Sequence, residues 1–163
     1  MSIEVCDYVA VSTKLTQLGI KPPTGFAILP SNLDGAQSTA ELCQHAESET
    51  VKKLFRANNI NYSELFDADK QPAYLQQYGF EWFGPTLFIT TASLSQDPNL
   101  LSVSLNIISS YLYDFFKGAK DGAASLDVIV ERADGSCKKV KYKGPVEGLT
   151  SVADILYELS GDR

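Results

Sequence analysis

The chain carries one histidine, His45, so any Ser-His-Asp or Cys-His nucleophilic mechanism would have to run through it. It sits in a polar stretch with Glu41, Glu47 and Glu49 around it and Cys43 two residues before. No Gly-x-Ser-x-Gly elbow supplies a nucleophile. Cys43-x-His45, without a Cys-x-x-Cys or a second histidine, is too short to enclose a metal ion. His45 therefore reads as an ordinary surface histidine on an acidic helix. Asp67-x-Asp69 offers two oxygens to Mg²⁺ or Ca²⁺, but the glycine and distal glutamate of a calcium loop do not follow, and both acids read as solvated turn residues. Glu47 and Glu49 are two apart and do not share a helix face, so on a helix they form no acid–base pair. Neither Gly-x-x-x-x-Gly-Lys-Ser/Thr nor Gly-x-Gly-x-x-Gly occurs, and the Gly144 to Gly148 stretch is a turn rather than a nucleotide cradle. No catalytic residue, metal ligand or cofactor is assigned, and the reading leans to a non-enzyme.

Two clusters remain. Lys138, Lys139, Lys141 and Lys143 form the one basic group, which reads as a solvated strand face whose lysines offset opposing acids and discourage edge-to-edge pairing. Tyr62, Phe66, Tyr74, Tyr78, Phe80, Trp82 and Phe83 bring seven of the chain's 17 aromatic residues into positions 62–83. Part of that density belongs to the core. The segment is also polar and weakly periodic, and exposed rings beside Glu64, Asp67, Asp69 and Glu81 are what a docking surface for a basic partner uses. The partner-facing set is Tyr62, Glu64, Asp67, Asp69, Tyr74, Tyr78 and Trp82.

Charge points the same way. The formal net charge is −6 over 163 residues. Such a surface repels nucleic acid and anionic lipid and attracts basic proteins. The three cysteines, Cys6, Cys43 and Cys137, are odd in number and scattered, which suits a reducing compartment. Residues 1–11 lack the basic segment and unbroken apolar run of a secretory signal. The expected location is the cytoplasm.

The elements that must position these groups begin with residues 97–118, read as one long helix. Leu101, Leu105, Ile108, Leu112 and Phe115 recur at helical spacing, Asp97 and Pro98 suit its start, and Gly118 suits its end. Its polar strip runs through Ser102, Asn106, Ser109, Ser110 and Tyr113. Ile3, Val5, Val9 and Val11 predict a strand, Ser12 to Leu18 a short helix closed by Gly19, and residues 25–29 a strand ended by Pro30. Ser38 and Glu41 form a capping box that predicts helix over residues 39–58, either as one helix or as two with Ser48 opening the second. Residues 61–77 read as a long excursion, and residues 80–83 and 86–91 as strands around a Gly84-Pro85 turn. Residues 126–132 and 137–143 predict a hairpin. A two-residue Asp134-Gly135 loop would pair Val128 with Lys141. A three-residue loop with Gly135 left-handed pairs Val128 with Val140, Leu126 with Tyr142 and Asp127 with Lys141, and only this register separates an apolar face from a charged one. Ser151 opens a terminal helix.

The sequence thus predicts a single α+β domain over residues 1–163: a mixed β-sheet packed by a long central helix (about 98–117), with a C-terminal β-hairpin (126–143) and a terminal helix. The expected function is that of an acidic binding protein of the inhibitor, immunity or accessory type. The alternative is a small enzyme or ligand-binding domain with a pocket between the central helix and the sheet, where Asn106 and Ser110 would supply polar groups.

Overall fold

A five-stranded mixed sheet organises the molecule, in a computed structural model that describes residues 2–75, 81–117 and 122–160. In chain order the elements are β1 (Ser2–Tyr8), α1 (Val11–Gln17), β2 (Ala27–Leu29), β3 (Cys43–His45), α2 (Glu47–Ala57), β4 (Ala73–Leu75), β5 (Glu81–Thr90), α3 (Thr91–Gln96), α4 (Leu100–Phe115), β6 (Ala123–Glu131), β7 (Cys137–Gly144) and α5 (Ser151–Ser160). The main sheet runs β1-β7-β6-β5-β2, with β5 and β6 parallel and the other pairs antiparallel. The short strands β3 and β4 make a separate parallel pair.

Strand parity builds two cores. Leu126, Val128 and Val130 of β6, Val140 and Tyr142 of β7, and Leu87 and Ile89 of β5 face one side. There they meet Leu101, Leu105, Ile108 and Leu112 of α4, Val51 and Phe55 of α2, and Val152 and Leu156 of α5. On the opposite side Phe88, Ile129 and Cys137 pack with Val11 and Leu15 of α1 and with Leu33 and Leu42. A sheet clad on both faces explains why β5 and β6 are so apolar.

The hairpin has the bulged register: Leu126 pairs with Tyr142, Asp127 with Lys141 and Val128 with Val140, and Gly135 has φ +88°. Lys138, Lys139 and Lys143 are engaged by acids. Lys139 lies 3.3 Å from Asp127 and Lys143 lies 3.6 Å from Glu81, while Lys138 pairs with Asp7. Gly19, at φ +77°, closes the turn after α1.

Several boundaries differ from expectation. The first strand ends at Tyr8, and Val11, the residue that extended the alternation, instead opens α1 and is fully buried. The Ser38–Glu41 capping box does not form: the Ser38 side chain makes no cap hydrogen bond but donates to the Glu41 carboxylate at 3.4 Å, the carboxylate accepts also from Gln37 N–H at 3.2 Å, and the segment closes only one 3₁₀ turn. The chain then runs as β3, so residues 39–58 are turn, strand and helix rather than helix throughout. Gly84-Pro85 is not a turn between two strands but an irregularity inside the continuous β5, where the register with β6 shifts between Phe83 and Thr86. Proline lacks the N–H a ladder needs, so the strand slips there and continues. The central helix is shorter than 97–118. Asn99 occupies its N-cap while Asp97 accepts from the Asn99 N–H at 3.2 Å, and Gly118 lies outside the described residues.

Candidate functional site

The surface of α2 and the segment that crosses it form the best-built polar site. Ser48, Val51, Lys52 and Phe55 are the buried positions of α2, spaced as one helical stripe, so a lysine occupies a core-facing position. Only 6% of Lys52 is exposed. A buried ammonium needs counter-charges. Its Nζ lies 3.1 Å from Glu64 Oε2 and 3.7 Å from Glu49 Oε1. Tyr74 on β4 donates its hydroxyl to the same Glu49 oxygen at 3.1 Å. Desolvation, then the Glu49 hydrogen bond and charge, raise the Tyr74 phenol above its ordinary value and keep it a neutral donor.

The crossing segment is held by its own polar contacts. Gln71 Nε2 donates to the carbonyls of Phe66 at 3.1 Å and Asp67 at 3.3 Å. Buried Gln44 on β3 donates to Gln71 Oε1 at 3.3 Å and to the Pro72 carbonyl at 3.2 Å. Between this segment and α2 lies an open groove of about 440 Å³, lined among others by Glu49, Lys52, Lys53, Glu64, Phe66 and Tyr74. Ala68 also lines it, and exposed Asp67 and Asp69 flank Ala68.

Of the partner-facing set, Glu64 and Tyr74 therefore meet in one groove with Asp67 and Asp69 at its border. Tyr74 keeps 47% of its surface exposed. Tyr62 is half-buried: its ring packs on Phe55 at 6.1 Å, and its hydroxyl accepts from Arg56 Nη1 at 2.6 Å. Tyr78 lies outside the described residues. Trp82 is a correction, since it is 2% exposed and sits in the helix-side core opposite Ala124. Its indole covers Gly84, where a Cβ would collide with the ring and lie 2.9 Å from Leu126 Cδ1. Burying its large ring gains more than exposing it. Glu49 and Lys52 were missed as site residues. The signal for Lys52 was present in the 48–51–52–55 spacing, which is that of an apolar stripe.

His45 lies on β3 rather than on a helix. Its ring stacks on Phe83 at a centroid distance of 6.3 Å, and Nδ1 is buried without a hydrogen-bond partner among the described residues. Burial pulls its pKa below 6.5, opposed by the Asp127 charge. Among the described residues no three of His, Cys, Asp and Glu converge as a metal site requires, and no helix is long and apolar enough to cross a membrane.

Where α4 meets the sheet, Leu101, Leu105, Ile108 and Leu112 are fully buried. Asn106 and Ser110 instead line a groove of about 470 Å³ on the other flank of α4, against Leu54 and Asn58 of the α2 end and beside Tyr111. Ser109, from the same polar strip, is buried. Comparisons with protein-family models, with curated proteins and with solved structures find no match to this chain.

Proposed function

We propose that this chain is a non-enzymatic, cytoplasmic binding protein of the inhibitor, immunity or accessory type, which docks a more basic protein on the face of α2 and residues 62–75. The observation that carries the reading is the groove in which Glu49, Glu64 and exposed Tyr74 surround a buried Lys52. In the lining Glu49 and Glu64 balance Lys52 and Lys53, and Glu64, the nearer partner of the Lys52 ammonium, keeps its carboxylate partly exposed towards solvent. Asp67 and Asp69 add negative charge at the border, and the Tyr74 and Phe66 rings offer faces to a cationic side chain. The chain's net charge of −6 supports the same sign of partner.

The test is low-salt capture with mass-spectrometric identification, followed by titration of the purified partner. Affinity should fall as salt rises. Tyr74→Ala, and Asp67→Lys with Asp69→Lys, should each weaken it by about tenfold or more. A captured protein whose binding ignores both salt and these variants would overturn the reading.

The groove beside α4, lined by Asn106, Ser110 and Tyr111, favours a second reading as a small-ligand domain. A metabolite that raises the melting temperature, with the rise lost in Asn106→Leu, would select it.

A further inference from the structure

β1 is the outermost strand of the main sheet, and it pairs with β7 over all seven of its residues without a bulge. No other described strand covers its outer edge. A long, regular edge is a template for another strand unless something blunts it. The usual guards are weak here. There is no proline, and the two acids, Glu4 and Asp7, stand opposite Lys141 and Lys138, with the Asp7 carboxylate paired to Lys138. The β7 lysines thus cancel the charge that would repel a second strand.

The apolar pattern also stops short at this edge. Val128, Val140 and Val5 form one row across three strands on the helix-covered face. The first two are fully buried, while Val5 remains 47% exposed.

We propose that β1 pairs antiparallel with β1 of a second copy of this chain, joining two five-stranded sheets across a two-fold axis at Val5. One register uses the whole strand: the one centred on Val5, since β1 spans Ser2–Tyr8. It sets Val5 against Val5, Glu4 against Cys6, Ile3 against Asp7 and Ser2 against Tyr8. No carboxylate then faces another. Registers centred on Glu4 or Asp7 put like charges directly opposite, which is destabilising. The centred register also makes the Val128–Val140–Val5 row continuous with its symmetry mate and covers the exposed Val5.

Sedimentation equilibrium of the intact protein from about 1 to 200 µM tests this, because a self-association obeys mass action. The mass should rise towards twice 17.8 kDa with concentration. Val5→Lys sets two ammonium groups on the axis and should weaken the dimer at least about tenfold, with the circular dichroism spectrum unchanged. Directly opposed strand residues have Cα atoms about 4.5–5.5 Å apart, within disulfide reach. Val5→Cys combined with Cys6→Ser should therefore oxidise to a covalent dimer, whereas Cys6 in the wild-type chain should not cross-link. A mass that stays at one chain throughout overturns the proposal, as does a dimer indifferent to Val5→Lys. Cross-linking through Cys6 but not through residue 5 overturns the centred register.

Discussion

Two side chains carry charge or its absence into poorly solvated surroundings, and each sets a measurable dependence. His45 has its Nδ1 buried with no hydrogen-bond partner among the described residues, and burial lowers its pKa from 6.5 while Asp127 pulls the other way. With the folded value depressed, the unfolded chain takes up a proton that the folded protein resists. The stability this confers is therefore present above about pH 6.5 and is lost as pH falls through the folded value. Urea denaturation between pH 7 and 5 should show a decline that His45→Gln reduces, and the imidazole NMR titration should have its midpoint below 6.5. A midpoint above 6.5 would mean that Asp127 dominates. At Lys52 the desolvated partner is the ammonium, because Glu64 is half-exposed. Glu64→Ala strands that charge against the more distant Glu49 and should cost about 1–2 kcal/mol in urea melts. Adding Lys52→Met removes the stranded charge, and the double variant should recover most of the loss. Additive losses would show that the pair is not coupled.

At the scale of elements, the hairpin is where the sequence was most legible. Alternation in β6 and β7 makes one register amphipathic and its neighbour not, so the pairing and the left-handed Gly135 follow from residue types alone. Gly135→Ala should therefore cost about 1 kcal/mol, since its φ of +88° strains any side chain even though open space surrounds it. Gly84→Ala has the opposite cause, a collision with the Trp82 ring and Leu126, and should cost about 1–3 kcal/mol by overpacking. Comparing melting temperatures of the two variants with Trp82→Phe in the background separates these causes: only the Gly84→Ala penalty should shrink. The strand β3 was illegible because three residues hold no alternation, and the capping box before it looks like the start of a longer helix. The candidate groove was half legible. Tyr74, Glu64 and the paired aspartates stand out by type, but their meeting with Glu49 and Lys52 depends on residues 62–75 crossing α2, which no local pattern encodes.

For the whole molecule, coverage predicts where the fold opens first. β6 lies between two paired strands with packed helices or buried chain on both faces, whereas one edge of β1 is covered by no described strand and β4 is exposed at all three residues. Amide hydrogen exchange should be slowest in β6 and the central part of β5 and fastest in β4, with β1 between them. Protection of β4 equal to that of β6 would contradict this ordering. The sheet order has a further consequence for synthesis. β1 leaves the ribosome before every other described strand, but its partner in the sheet, β7, begins only at Cys137. Until about 130 further residues have been made, Ser2–Tyr8 has no native ladder to join, and the nascent chain carries it as an unpaired strand.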